Sequence, residues 1–343
     1  MNPELKISVI VPSFKQGDYI ESTILSVLRQ TYSNWEMIIQ DSCSPDQTGE
    51  VCSRYAKADS RINFFSEKDS GFADAVNRGL KKCSGSVALI LNSDDFLAHE
   101  NVFEELVQVW KKFPELYIAS AQCQLVDPDL NEIKTRNPNS SENHFVPAKD
   151  IFFLKKALPQ SSTFFSVSRA KEIGLLNTQL DMVADTEFWI RLTNQEPLNE
   201  RSIYFSATVW SCVTVHAEQR NAEPSKFLLG IVKMYLSLMQ NEKLVIDLPE
   251  TRQQAIIHAL DAWDHFNYYR LPVNEPEALY KELTGNSLPL KKIFKKYISR
   301  SSWLRKKMYA GFKREGSLSY YANPRGRSFR WFLQKEKNTI KQD

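Results

Sequence analysis

From Ile7 to Pro114 the chain alternates short apolar runs with segments of helical period. Ile7–Val11 is rich in β-branched residues and reads as a buried strand. Asp18 then reads as a helix N-cap, with Glu21 three residues on completing a capping box and Ile20, Ile24 and Leu28 on the apolar face. Trp35–Ile39 predicts a second strand, Thr48–Lys57 a helix and Ile62–Phe65 a third strand. Phe72–Lys82 is helical after Ser70-Gly71, Val87–Leu91 is a fourth strand, and Val102–Phe113 is a helix stopped by Pro114. Residues 122–160, rich in Asn, Pro and Ser, read as a long irregular stretch. Strands and a helix return over 163–215. A helical pattern follows from Glu223 to Arg270, with Trp263, Phe266 and Tyr269 as packing residues.

This rhythm predicts an α/β fold whose mostly parallel central sheet is flanked by helices. In such sheets ligands sit beyond the carboxyl ends of the strands. The polar clusters fall there: Pro12-Ser13-Phe14 after the first strand, Asp41 after the second, Asp69 after the third, and Asn92-Ser93-Asp94-Asp95 after the fourth.

Composition narrows the class. The 343 residues are 42% hydrophobic and 25% charged, the proportions of an ordinary globular protein. No apolar run reaches the roughly 18 residues that span a bilayer, and the N-terminus predicts no signal peptide. Cys43, Cys52, Cys83, Cys123 and Cys212 are odd in number and irregularly spaced, which argues against a disulfide framework or a zinc cage and for a reducing cytoplasm. The net charge of +3 is unevenly spread, because residues 291–343 hold 16 of the 44 basic groups and 3 of the 41 acidic ones, or +13 against −10 for the rest.

Two adjacent carboxylates at a strand end make a costly site unless a cation occupies it. Asp94 and Asp95 therefore read as ligands for Mg²⁺ or Mn²⁺, ions that suit carboxylates and bridge substrate phosphates. A helix cap or a solvated turn is the plainer reading. Asp41 reads either as a turn residue or as an acceptor for a nucleobase edge, and Phe14 either as core or as a face for a base ring. A glycine-rich dinucleotide loop is missing after the first strand, which argues against an oxidoreductase.

Three strings, in order, carry a resemblance: ISVIVPSFKQGDYIESTILSVLRQTYSNWEMIIQDSCSPD, EKDSGFADAVNRGLKKCSGSVALILNSDD and LPQSSTFFSVSRAKEIGLLNTQLDMVADTEFWIRL. Over residues 6–216 the chain resembles family-2 glycosyltransferases, with their A-type nucleotide-sugar fold. The resemblance implies a metal-dependent, inverting transfer of a hexose from a nucleotide sugar, most often a UDP-sugar, to a glycan or lipid-linked acceptor, in bacterial surface polysaccharide or lipid-linked glycan assembly. It implies donor binding by Pro12, Ser13, Phe14, Asp41, Asp69 and Asp94, and support of the site by Asn77. It assigns the metal to Asp94, Asp95 and His216, and the general base to Asp185, with Glu187 the nearest alternative. Trp189 and Arg191 read as packing and helix-surface residues. Asn92 stands where many relatives carry Asp, and Ala184 where they often carry Glu. These departures are the basis for an alternative reading, a non-catalytic nucleotide-sugar-binding or membrane-tethered assembly subunit.

The expected organisation is a catalytic domain over 1–220, a helical region packed on it over 221–290, and a basic amphipathic segment over 291–343. Between Lys291 and Arg314 ten basic residues alternate with apolar ones at helical spacing, and Trp303 adds an interfacial aromatic. This pattern fits an anionic membrane surface, which predicts a cytoplasmic protein held peripherally on the inner face of the cell membrane. No nucleic-acid module is present, and no nucleic-acid partner is expected.

Overall fold

The computed structural model describes residues 4–136, 142–180, 182–194, 199–216, 224–245, 251, 255 and 274–284. The basic segment 291–343 and the packing residues Trp263, Phe266 and Tyr269 lie outside the described residues.

Three βα units and a fourth strand form the first half: β1 (Ile7–Ser13), α1 (Ile20–Leu28), β2 (Trp35–Asp41), α2 (Thr48–Ala58), β3 (Ile62–Ser66), α3 (Phe72–Lys82) and β4 (Val87–Ile90). Then come β5 (Asp95–Leu97), α4 (Val102–Lys112), β6 (Ile118–Val126), β7 (Glu132–Arg136) and β8 (His144–Phe145). A short helix α5 (Ala148–Phe152) and a 3₁₀ turn (Gln160–Ser162) lead into β9 (Thr163–Ser166), α6 (Val167–Ile173), α7 (Ala184–Thr193) and β10 (Ile203–Thr214). Helices α8 (Pro224–Met239) and α9 (Asn274–Thr284) follow. No described helix is long and apolar enough to cross a membrane.

One sheet runs β3-β2-β1-β4-β9-β6-β10-β5, with β7 beside β6 and β8 beside β10. It is parallel from β3 to β4 and again between β6 and β10, whereas β9 lies antiparallel to both β4 and β6, and β5 antiparallel to β10. Parallel order is therefore concentrated in the half built from βα units, because each crossover helix returns the chain in the same direction. The expected irregular stretch at 122–160 in fact opens with the rest of β6 and its antiparallel partner β7. Gln122 and Gln124 break the apolar run without breaking the strand, since β10 supplies the pairing.

Alternation along β1 divides the core. Val9 and Val11 pack with Met37, Ile39, Ile24 and Phe103 on one face, while Ile10 joins Ile38, Val76, Phe188 and Tyr235 on the other. Helix α3 sits hard against β1: a Cβ on Gly79 would lie 2.5 Å from Ile10 Cγ2, so only glycine allows this approach. Pro12 falls two residues beyond Ile10, on the side of β1 where β4 ends at Ile90, so its missing N–H breaks no ladder bond.

Asp18 does not cap α1. Tyr19 holds the N-cap position with no side-chain hydrogen bond, and Asp18 accepts from Gln47 Nε2 at 2.8 Å instead. Glu21 also turns away, taking Arg54 and the Tyr55 hydroxyl of α2. The helix starts through main-chain bonds to Gln16 O from Tyr19 N and Ile20 N, at 3.0 and 2.9 Å. Within α1, Ile20, Thr23, Ile24 and Val27 are buried, and Leu28 is only partly so.

Candidate functional site

The strand register lines up one edge. Ser13 pairs with Asp41, and Asp41 with Ser66, so the carboxyl ends of β1, β2 and β3 finish in one row. Asp41 is 1% exposed. Its carboxylate accepts from Ser44 N at 2.8 Å, from Ser44 Oγ, and from Ser66 Oγ at 3.2 Å. This is the turn geometry that one of the two sequence readings anticipated. A carboxylate has about four acceptor positions, so roughly one remains. Ser13 Oγ is buried with no hydrogen-bond partner among the described residues, beside the same turn, where Ser42 N donates to Ser13 O at 2.9 Å.

The loop after β1 is stapled to the start of α2. Lys15 N donates to Ser44 Oγ (2.8 Å), Gln16 N to Thr48 Oγ1 (3.0 Å) and Gly17 N to Asp46 Oδ2 (3.1 Å). Lys15 pays for this path with φ = 56°. The result is that Phe14 stands 52% exposed on an anchored loop, with its own Lys15 Nζ 5.3 Å from the ring centroid. Phe14 is therefore no core residue; its ring is open to a planar ligand. Asp69 is half-buried. Its Oδ1 accepts from Gly71 N at 2.9 Å, and Gly71, at φ = 124°, launches α3. Asn77 grips the main chain of Leu176 from both amide atoms, at 2.9 and 2.8 Å, tying α3 to the segment that leads into α7.

The two adjacent carboxylates part company. Asp95 begins β5 and is 1% exposed; its Oδ2 takes Asn92 Nδ2 at 3.1 Å and the Ser161 hydroxyl, while its carbonyl takes Thr23 Oγ1 at 2.7 Å. Asn92 Oδ1 in turn accepts from Gln160 Nε2 at 2.8 Å. Asp95 Oδ2 thus faces protein donors. The amide at position 92 also has a local reason: a carboxylate there could not donate to Asp95.

Asp94 turns the other way and meets His216 Nε2 at 3.0 Å, with side chains 15% and 5% exposed. The pairing of Val213 with Asp95 brings β10 past β5 so that His216 arrives opposite Asp94. The imidazole stacks on Tyr19, with centroids 4.6 Å apart and planes at 15°. A carboxylate oxygen and an imidazole nitrogen side by side are a donor set that would suit a divalent cation. No group of three or more His, Cys, Asp and Glu converges among the described residues.

Asp185 lies in the first turn of α7, half-buried, its Oδ1 accepting from Thr186 N at 2.7 Å and from Thr186 Oγ1 at 3.4 Å. Glu187 is not available as an alternative base. It is 3% exposed and clamped by Arg191, Nε to Oε1 at 2.7 Å and Nη2 to Oε2 at 2.9 Å. Arg191, expected on the helix surface, is buried at 6% and also donates to the carbonyls of Ile173, Gly174 and Leu175. Trp189 packs in the core as expected.

Residues 8–172 match the family model described as Glycosyl transferase family 2. Over that stretch the chain is similar to glycosyltransferase family 2. Similar proteins include the putative teichuronic acid biosynthesis glycosyltransferase TuaG of Bacillus subtilis, 46% identical over 90 residues, or 26% of this chain and 36% of that protein. An uncharacterized glycosyltransferase of Rickettsia bellii is 25% identical over 249 residues, 72% of this chain and 34% of that one. The chain thus spans about a third of the length of these curated relatives. Among solved structures, Staphylococcus aureus TarS 1–349 in complex with UDP aligns with TM-score 0.56 at 19% identity, over 78% of this chain and 73% of that one. The mannosyltransferase PcManGT of Pyrobaculum calidifontis, in complex with GDP-Man and Mn²⁺, aligns with TM-score 0.57 at 14% identity, over 94% and 87%. The family-2 match ends in α6, so Asp185 and His216 lie beyond it. Gln160, Ser161 and Tyr19 were not singled out by sequence reasoning. Tyr19 lies inside the first of the three strings and Gln160 and Ser161 inside the third, which is the signal that could have flagged them.

Proposed function

We propose that this chain transfers a sugar from a nucleoside-diphosphate donor to an acceptor hydroxyl with inversion at the anomeric carbon. The observation that carries the reading is the Asp94–His216 pair, 3.0 Å apart beside the carboxyl edge of the parallel half. Phe14 lies against the base, the last acceptor position of Asp41 meets a base N–H, and Ser13 Oγ meets the nucleoside. Asp69 holds the Gly71 turn that shapes the floor. Asp94 and His216 would hold Mg²⁺ or Mn²⁺, which supplies charge neutralisation for the diphosphate leaving group. Asp185 takes the proton of the acceptor hydroxyl as it attacks. No covalent intermediate is needed. The neighbours bound to UDP and to GDP-Man support a nucleotide-sugar donor, and a uracil base is the first choice. The acceptor in this reading is a surface polysaccharide or lipid-linked glycan, as the name of the Bacillus relative supports. The sequence of 291–314 supports attachment to an anionic membrane at the cytoplasmic face.

Transfer assays with UDP- and GDP-sugars test this directly. Asp185→Asn is expected to lower turnover by about 10²–10⁴-fold while UDP binding persists. Unchanged turnover removes Asp185 as base, and full activity in excess chelator removes the cation. Cosedimentation with anionic vesicles, before and after truncation at Pro289, checks the basic segment.

A further inference from the structure

A histidine that ligates a metal is normally oriented through its second ring nitrogen, which donates to a carboxylate, a carbonyl or water. His216 departs from that arrangement. Its Nε2 faces Asp94 at 3.0 Å, but its Nδ1 is buried and has no hydrogen-bond partner among the described residues. What meets the ring instead is the face of Tyr19, nearly parallel at 15° and 4.6 Å away. Tyr19 is itself well placed to act as a fixed wall. Its N–H is bonded to Gln16 O at 3.0 Å, in the loop whose Gln16 and Gly17 amides are stapled to Thr48 and Asp46. One turn along α1, Thr23 Oγ1 holds the carbonyl of Asp95 at 2.7 Å, the residue next to Asp94.

We infer that Tyr19 is the positioning residue for His216: its ring face sets the imidazole plane that aims Nε2 toward Asp94, where the pair would hold the cation. This deepens the proposed metal role of that pair and rests on it. The start of α1 then carries both supports of the cation site, one through Tyr19 and one through Thr23. The same loop presents Phe14, so the end that meets the base and the end that meets the diphosphate share one rigid piece of chain. A stack restrains the tilt of a ring without requiring a particular tautomer, so the restraint survives exchange of the Asp94 contact for a metal bond.

The test measures Mn²⁺ binding to the full chain with UDP present, by the paramagnetic resonance of free Mn²⁺. Tyr19→Leu is expected to weaken Mn²⁺ binding at least tenfold, the scale of losing an orienting partner of a metal ligand. Tyr19→Phe, which keeps the ring, is expected to stay within about twofold. If Tyr19→Leu binds like the parent chain while His216→Ala has lost Mn²⁺, the positioning role is overturned and the metal role stands. If His216→Ala and Asp94→Asn also bind like the parent, the metal role fails and this inference falls with it. Proton resonances of the parent chain give a reading that needs no variant: the His216 ring protons are expected upfield of a free imidazole because the ring stacks on Tyr19, and unshifted lines overturn the stack.

Discussion

The half built from βα units and the half beyond β4 hold their functional side chains in different ways. In the first, Ser13, Asp41 and Asp69 are fixed by register and by turns a few residues long, as with Asp41 to Ser44 and Asp69 to Gly71. In the second, the contacts cross the chain: Asp94 to His216 spans 122 residues and Asn92 to Gln160 spans 68. Local turns make a site that survives rearrangement elsewhere, whereas long crossings make one that exists only when the mixed part of the sheet has formed. The cation end of the site should therefore be the part most sensitive to damage in the second half.

The strongest way to break the contrast is at Arg191. It neutralises Glu187 inside the core and satisfies three carbonyls ahead of α7. Arg191→Ala strands a buried carboxylate and should cost about 3–5 kcal/mol in denaturant unfolding. A loss below about 1 kcal/mol would mean that the pair does not organise this region. The next test separates the two neighbouring carboxylates. Asp95→Ala leaves the Ser161 hydroxyl and the Asn92 amide without their acceptor and should cost about 1–3 kcal/mol. Asp94→Ala should cost about 1 kcal/mol or less, yet abolish Mn²⁺ binding. Equal stability losses would erase the distinction between a structural and a functional aspartate.

The smallest effect sharpens the view of the first half. Burial alone would raise the Asp46 carboxyl, but hydrogen bonds from the Thr48 hydroxyl and from the Gly17 and Thr48 amides hold it below its usual 3.8. A depressed carboxyl stabilises the fold above its unfolded value and loses that contribution as pH falls through the lower folded value. Asp46→Ala should therefore cost about 0.5–1 kcal/mol at pH 7, as a lost helix-start cap does. The gap between variant and parent should close as the pH drops below about 4. A gap that stays constant to pH 3 would show that the Asp46 charge does not matter to the loop.

How far the sequence could be read follows the same divide. The strands at Ile7, Trp35, Ile62 and Val87 and the helix at Phe72–Lys82 were legible because period and punctuation are local properties of the chain. Asp18 was misassigned because the capping pattern ignores a competing partner, Gln47, from 29 residues away. Arg191 was misassigned because a charged residue in a helix is usually solvated, and nothing nearby in sequence announces Glu187 as a buried partner or three free carbonyls. The strand in 122–126 was missed because its polar residues are paid for by pairing with β10 rather than by their own periodicity.

By itself the sequence determined where four strands end and that acidic and hydroxyl groups gather there, since backbone direction and side-chain alternation repeat every few residues. Only the tertiary structure decided which of two neighbouring aspartates turns inward and which meets a histidine. That choice depends on β5 lying antiparallel to β10 with Asp95 opposite Val213, a pairing between segments more than a hundred residues apart that no local pattern encodes.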